Sequence, residues 1–326
     1  MISIDTLFDY IILPCLKFPA LLILPFQSIA LWIKTVCVIY SILFYLFEVL
    51  NKVYKLKGSK KWKNLKDIRG NVIVITGGSG GLGYSLIKII LERFPSTTII
   101  NIDQTKSTIK DERLIYYKCD LSNTNDVQET IQTIKNQFRE RINLIVNNAG
   151  ARLPFNSINK LHSDEISRLF QINCFSTLEI IKQLAPDHNS QRQCFIVTIA
   201  SVLGILNPSK VAAYAASKAA LISFHQSYEQ ELRVSKVDNI RMLLVLPGQL
   251  NTKMFGGFEP PMQFWAPTIN VETLAKAIIS KCEVGERGTI QQPFYANFAH
   301  ILMSLPYVIQ VWAREFAKID DCLPDE

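Results

Sequence analysis

A chain of 326 residues is long enough for one large α/β domain with appendages. Its composition, 48% hydrophobic and 19% charged, is more apolar than that of an average soluble protein, and the surplus is concentrated in residues 8–50 and 288–313. The net charge of +7 is equally local: eight lysines and arginines fall between residues 51 and 70 against Asp67 alone, which argues against the spread basic surface of a nucleic-acid-binding fold.

Residues 1–50 read as a membrane anchor. Two uncharged runs, 18–33 and 35–47, flank Lys34, and each is shorter than the ~20 residues of a spanning helix. A helix over about 29–49 spans if Lys34 snorkels to the interface. Pro14, Pro19 and Pro25 interrupt the first run, which suits a re-entrant, interfacial or hairpin arm and leaves the number of crossings open. A cleaved signal peptide fits poorly, because the apolar stretch is too long and lacks a basic start. Residues 51–70 form a basic juxtamembrane linker of the kind that faces anionic lipid on the cytosolic side. The remainder is therefore expected in the cytosol, on endoplasmic reticulum or lipid droplets, with the mitochondrial outer membrane as the alternative.

From residue 71 short apolar runs alternate with helical patterns. Strands are expected at 71–77, 97–103, 114–120, 142–150, 194–200 and 240–248, with helices at about 85–94, 124–139, 163–185, from 212 onward, and at 271–283. This alternation predicts a doubly wound parallel sheet covered by helices on both faces. Seven scattered cysteines without CxxC spacing point to a reducing compartment, and four histidines never at i,i+4 offer no metal site.

The sequence ITGGSGGLG, residues 75–83, lies where the first strand turns into the first helix. It fits GxGxxG at Gly78, Gly80 and Gly83, and TGxxxGxG at Thr76, Gly77, Gly81 and Gly83, with Ser79 and Leu82 in the same turn. Such a turn brings backbone amides and a helix N-terminus to a pyrophosphate. Asp103 ends the second strand twenty residues after Gly83, where a carboxylate accepts from ribose hydroxyls and repels a 2′-phosphate. That favours NAD over NADP, although Lys106 nearby weakens the preference.

Further landmarks recur in one order: Asn147-Asn148-Ala149-Gly150 at the end of the fourth strand, Asn173 in QINCF, and Ser201 after the fifth strand. Tyr214 and Lys218 follow one helical turn apart in AAYAASKAA, and PGQLNT closes the sixth strand with Pro247, Gly248 and Thr252. With Ser201 thirteen residues before Tyr214, this set resembles the short-chain dehydrogenase/reductase family over about residues 70–290. The resemblance implies a single Rossmann-type domain of about seven strands, here 71–290, and a homodimer as one assembly. It also implies Tyr214 as general acid/base, Ser201 as a hydrogen-bond partner of the substrate oxygen, Lys218 on the ribose, and Asn173 in a proton relay. Asp120 is implied near the adenine, Asn148, Ala149 and Gly150 along the cofactor cleft, and Thr252 near the carboxamide. A phenol has an unperturbed pKa of about 10, so service as a base needs nearby positive charge; lowering it by ~3 units takes about 4 kcal/mol. Ala200, where many members carry a second serine, is a departure of little consequence, and Cys174 beside Asn173 has no role assigned.

The loop KMFGGFEPPMQFWAPT, 253–268, and the cap, 291–326, are apolar. The 26 uncharged residues between Arg287 and Arg314 are interrupted by Pro306, which favours helices lying on a membrane or lining a substrate site. Together they resemble the membrane-anchored retinol dehydrogenase and 17β-hydroxysteroid dehydrogenase subgroup, which implies a retinoid, sterol or long-chain lipid as substrate. A 3-oxoacyl or 3-oxosphingoid reductase using NADPH is the alternative enzyme, and a non-catalytic dinucleotide-binding membrane scaffold the alternative of another class.

Overall fold

The computed structural model describes residues 3–19, 23, 25–26, 30–58, 61–256 and 260–324. Parts of the proline-interrupted run and of the apolar loop, 20–22, 24, 27–29 and 257–259, lie outside the described residues.

Helix α1, Leu31–Leu56, is long and apolar enough to cross a membrane, and none of its apolar window is buried. At 1.5 Å per residue its 26 residues span about 39 Å, more than a ~30 Å hydrocarbon core. Its serine and threonine hydroxyls are satisfied internally, Thr35 Oγ1 donating to the Leu31 carbonyl and Ser41 Oγ to the Cys37 carbonyl, both at 3.0 Å. The helix runs seven residues beyond the expected end at 49. Its last turn docks: Arg287 donates its backbone N–H to the Lys55 carbonyl and its guanidinium to the Lys57 carbonyl. The basic linker is likewise packed down, with Leu65 1% exposed and Trp62 carrying the Arg241 guanidinium over its ring at 4.5 Å.

Seven parallel strands follow: β1 Val72–Thr76, β2 Thr98–Asp103, β3 Leu114–Lys118, β4 Ile142–Asn147, β5 Cys194–Ile199, β6 Ile240–Pro247 and β7 Gly288–Gln292. Their order is β3-β2-β1-β4-β5-β6-β7, so the winding reverses between β1 and β4 and leaves a crevice at the strands' carboxyl ends. Every residue of β1, β4, β5 and β6 is buried, which is why these segments read as mainly apolar runs. Strand β7 escaped the sequence reading because GTIQQ has one apolar side chain and pairs only along the sheet edge.

Helices α2, Gly81–Arg93, and α7, Val271–Val284, cover one face through Leu86, Ile90, Ile278 and Ile279. The other face carries α3, Thr124–Phe138, α4, Ser163–Phe170, α5, Ser176–Leu184, and α6, Ala212–Val234, burying Val127, Ile131, Ile180 and Leu232. Each fully buried aliphatic side chain contributes about 1.5–3 kcal/mol. Asn123 and Asn270 cap α3 and α7 by accepting from backbone N–H groups, and Gly285, at φ 68°, closes α7. One expected helix is not continuous: residues Gln171–Phe175 form a π turn between α4 and α5. The C-terminal cap divides at Pro306 into α8, Ala299–Ser304, and α9, Tyr307–Ala317, whose roots pack on Leu206, Ile222 and Leu246.

Candidate active site

The strand β1 delivers its end directly into the glycine turn. Gly77, at φ 67°, and Gly81, at φ 52°, occupy backbone conformations that favour glycine. Gly83 is required for a different reason, close approach: a Cβ there would lie 2.2 Å from the Gly77 carbonyl oxygen and 2.6 Å from Asn148 Nδ2. Asn148 ties the turn to β4, its amide donating to the Thr76 and Gly77 carbonyls at 3.0 Å each. Thr76 Oγ1 accepts the backbone N–H groups of Asn148 and Ala149. The side chains of Thr76 and Asn148 are therefore committed to shaping the turn from behind.

Asn101, which the motif reading passed over, completes the support from β2. It is fully buried, accepts from Gly78 N–H at 2.9 Å and donates to Ser79 Oγ at 3.0 Å. Asp103 accepts from Ser79 N–H at 2.9 Å and Thr105 N–H at 3.1 Å, which aims the carboxylate across the mouth of the turn. Asp120 stands directly behind the cavity-lining Gln104. Its carboxylate, held below the usual range chiefly by Ser122 N–H, takes the Gln104 amide at 2.7 Å, while Cys119 and Leu121 on either side line the cavity.

A cavity of about 1150 Å³ runs from this turn across the sheet ends to the cap. Gly77, Gly81, Leu82, Asp103, Asn148, Ala149 and Gly150 border one end, and Pro247, Gly248 and Thr252 the middle. Ser201, Tyr214 and Lys218 meet there from β5 and α6. Lys218 Nζ donates to the Ile199 carbonyl at 3.1 Å and lies 5.8 Å from the Tyr214 ring centroid. The phenol ring rests edge-on against Phe255 at 5.4 Å.

Burial dominates the electrostatics. It pushes the Tyr214 phenol up to about 12, with the Ser201 hydroxyl opposing, and pulls the Lys218 ammonium down to about 8. Desolvation is the larger influence on the phenol and the Ser201 hydroxyl the one that opposes it, so service as a base needs positive charge beyond these groups. The Cys174 thiol is also pushed up by burial, so it stays neutral near Lys218.

Asn173 owes its position to the π turn. Its amide donates to the Ala151 carbonyl at 2.9 Å and to Ser217 Oγ at 2.9 Å, while its oxygen accepts from Ala151 N–H at 2.8 Å. Ser217 Oγ in turn donates to the Tyr214 carbonyl at 2.7 Å. Asn173 therefore braces α6 against the Gly150–Ala151 bend, and its amide is fully engaged within the chain.

A family model described as short chain dehydrogenase matches residues 71–262. The chain belongs to the short-chain dehydrogenase family. It is an NAD(P)-dependent oxidoreductase by that membership. It is 46% identical over 325 residues to Uncharacterized oxidoreductase TDA5 of Saccharomyces cerevisiae, covering 99% of this chain and 100% of that one. Retinol dehydrogenase 10-A of Danio rerio is 26% identical over 298 residues, covering 79% of this chain and 85% of its own. A solved short chain dehydrogenase from Burkholderia cenocepacia, in complex with NADP, superposes with a TM-score of 0.61 at 24% identity. That match spans 76% of this chain and 97% of the other and speaks for the fold.

Outside the family landmarks, the cavity is walled by residues that no motif flags. Pro260, Pro261, Met262 and Trp265 come from the loop after β6, and Tyr295, Leu302, Phe316 and Leu323 from the cap. Gly248 makes room for Tyr295: a Cβ at 248 would lie 2.7 Å from its hydroxyl. The only advance signal for these walls was their apolar composition.

Proposed function

We propose that the protein is a membrane-bound oxidoreductase that transfers a hydride between NAD(P) and a lipophilic alcohol or ketone, with Tyr214 as general acid/base. The observation that carries this is one cavity joining the glycine turn, the Ser201–Tyr214–Lys218 cluster and an apolar cap. Its volume exceeds the ~300–1,000 Å³ of most single-ligand sites, leaving room for an apolar molecule beside a dinucleotide.

The residues fit a dinucleotide. The glycine turn at the α2 N-terminus, emptied of side chains at Gly77, Gly81 and Gly83, suits a pyrophosphate, and Asp103 suits an unphosphorylated ribose. Bound NAD(P) supplies or takes the hydride and, when oxidised, adds positive charge to the site. Lys218, beside Gly150, holds the ribose end, and Pro247, Gly248 and Thr252 border the nicotinamide end. Ser201 donates to the substrate oxygen and fixes it next to the Tyr214 hydroxyl. A phenol held at about 12 is protonated at neutral pH and ready to donate to a ketone; acting as a base requires added positive charge.

The exposed apolar helix α1 and the similarity to a retinol dehydrogenase support a substrate drawn from the bilayer: a retinoid, a sterol or a long-chain lipid. The charge after α1 supports a cytosol-facing catalytic domain. Tyr214→Phe is expected to abolish hydride transfer across a panel of retinoids, sterols and long-chain ketones while NADH binding, read by fluorescence, is retained. Equal turnover in the variant and the wild type would refute the assignment.

A further inference from the structure

We propose that Asp5, which precedes the membrane helix in sequence, is a positioning residue for the substrate cavity; this rests on the reading of that cavity given above. Short contacts made by residues 4–8 join its two apolar walls. Ile4, itself buried, donates its backbone N–H to the Phe264 carbonyl at 2.8 Å, in the loop after β6. One residue on, Asp5 Oδ1 accepts the Phe294 N–H at 2.7 Å, at the root of the cap. Phe8 then lays its ring on Phe294, centroids 4.0 Å apart.

Both contacted residues pass the constraint inward. Phe264 packs edge-on against Trp265 at 5.2 Å, and Trp265 lines the cavity. Phe294 packs against Phe298 at 5.0 Å, and both Phe298 and its neighbour Tyr295 line the cavity. The two walls come from segments about thirty residues apart in sequence, and both are bordered by apolar side chains. A charged acceptor on a backbone N–H is directional and fixes their separation where apolar contact alone does not.

The other end of the segment is tied to the membrane helix. Lys17 Nζ pairs with Glu48 Oε1 of α1 at 2.7 Å. Residues 4–17 thus form a strap from α1 to the rim of the cavity, so the anchor holds the walls around the substrate. The commitment is steep for a segment that contributes no lining side chain: Asp5 Oδ2 is buried without a hydrogen-bond partner, and a carboxylate tolerates that only where its other oxygen is well used.

The test compares Asp5→Ala with Asp5→Asn, which retains an oxygen for Phe294 N–H, in the full chain reconstituted in phospholipid nanodiscs. Hydrogen exchange of peptides covering 262–266 and 294–298 is expected to accelerate ~10-fold in Asp5→Ala and little in Asp5→Asn, while peptides covering the glycine turn keep the wild-type rate. Phe8→Leu, which removes the ring contact and leaves the carboxylate, is expected to loosen the same two peptides to a smaller extent. Release of cis-parinaric acid, a long-chain polyene, from the NADH-loaded protein is expected to quicken in Asp5→Ala with NADH affinity unchanged. Wild-type exchange in Asp5→Ala overturns the proposal, as does loosening that spreads equally to the glycine turn. A wild-type protein that fails to bind parinaric acid counts against the lipophilic reading of the cavity, and exchange at Phe294 still decides the role of Asp5.

Discussion

Exchanging Gly83 and Gly80 for alanine, one at a time, separates the two ways in which the glycine motif can be read. Under GxGxxG both positions belong to the motif; under TGxxxGxG only Gly83 does. Local propensity makes Gly83→Ala favourable, since Gly83 lies in the first turn of α2 and alanine is preferred in a helix by about 1 kcal/mol. The surroundings oppose it. A methyl group 2.2 Å from the Gly77 carbonyl oxygen and 2.6 Å from Asn148 Nδ2 stands far inside van der Waals contact, and both neighbours are held. Relief requires the turn to shift away from β4, which breaks one or both Asn148 bonds to Thr76 and Gly77. Overpacking of this kind costs about 1–3 kcal/mol, and each lost hydrogen bond about 1 kcal/mol, so the net after helix propensity is a loss of about 2 kcal/mol. Gly80 has φ −152° and nothing within 4 Å of its position for a Cβ, so alanine there leaves stability within about 0.5 kcal/mol or raises it slightly. Urea unfolding of both variants, followed by tryptophan fluorescence, measures the difference, and NADH titration of Gly83→Ala is expected to show weakened binding. A Gly83→Ala protein as stable as wild type, or a Gly80→Ala protein destabilised by as much, would refute the reasoning.

Two further outcomes follow from buried and edge charges. Burial pulls the His225 imidazole down to about 4; Nδ1 pairs with Thr198 Oγ1 at 2.9 Å, and Nε2 has no partner. Between pH 6.5 and 4 the unfolded chain binds a proton that the folded one refuses, so stability rises with pH across that window and falls by about 3 kcal/mol on acidification through it. Chemical denaturation at pH 7 and pH 4.5 checks this, and His225→Gln is expected to flatten the slope. At the cofactor site, Asp103→Asn keeps one acceptor for Ser79 N–H and removes the charge, so NADPH affinity relative to NADH is expected to rise ~10-fold. An unchanged ratio in paired fluorescence titrations would show that Asp103 does not set the preference.

The sheet was legible because its inner strands are buried on both faces and so spell themselves in Val, Ile and Leu, as in VIVIT. Strand β7 was not, since an edge strand needs no such spelling. The residues proposed for the chemistry were legible as motifs for a related reason: Ser201, Tyr214 and Lys218 keep fixed spacings and converge on one cavity from the end of β5 and from α6. Their supports were not. Asn101 and Ser217 act through paired hydrogen bonds, one accepted and one donated, that a polar residue in a strand or a serine in a small-residue helix does not announce.

The π turn at Gln171–Phe175 shows why such supports escape a periodic reading. One helix over 163–185 accounts for the amphipathic pattern on either side, and a single extra residue in one turn changes the register without breaking it. That residue brings Asn173 round to clamp Ala151 on one side and Ser217 on the other, at 2.8–2.9 Å. Because Ser217 Oγ also holds the Tyr214 carbonyl, the backbone on which the phenol sits is fixed from the neighbouring π turn. The strap at Asp5 repeats this logic at the substrate end. It holds Phe294 from outside, through its N–H and the Phe8 ring, and leaves the lining to Tyr295 and Phe298. In both places a committed polar side chain sets the position of residues whose own chemistry is generic, which is the arrangement a site needs when its walls are mainly apolar.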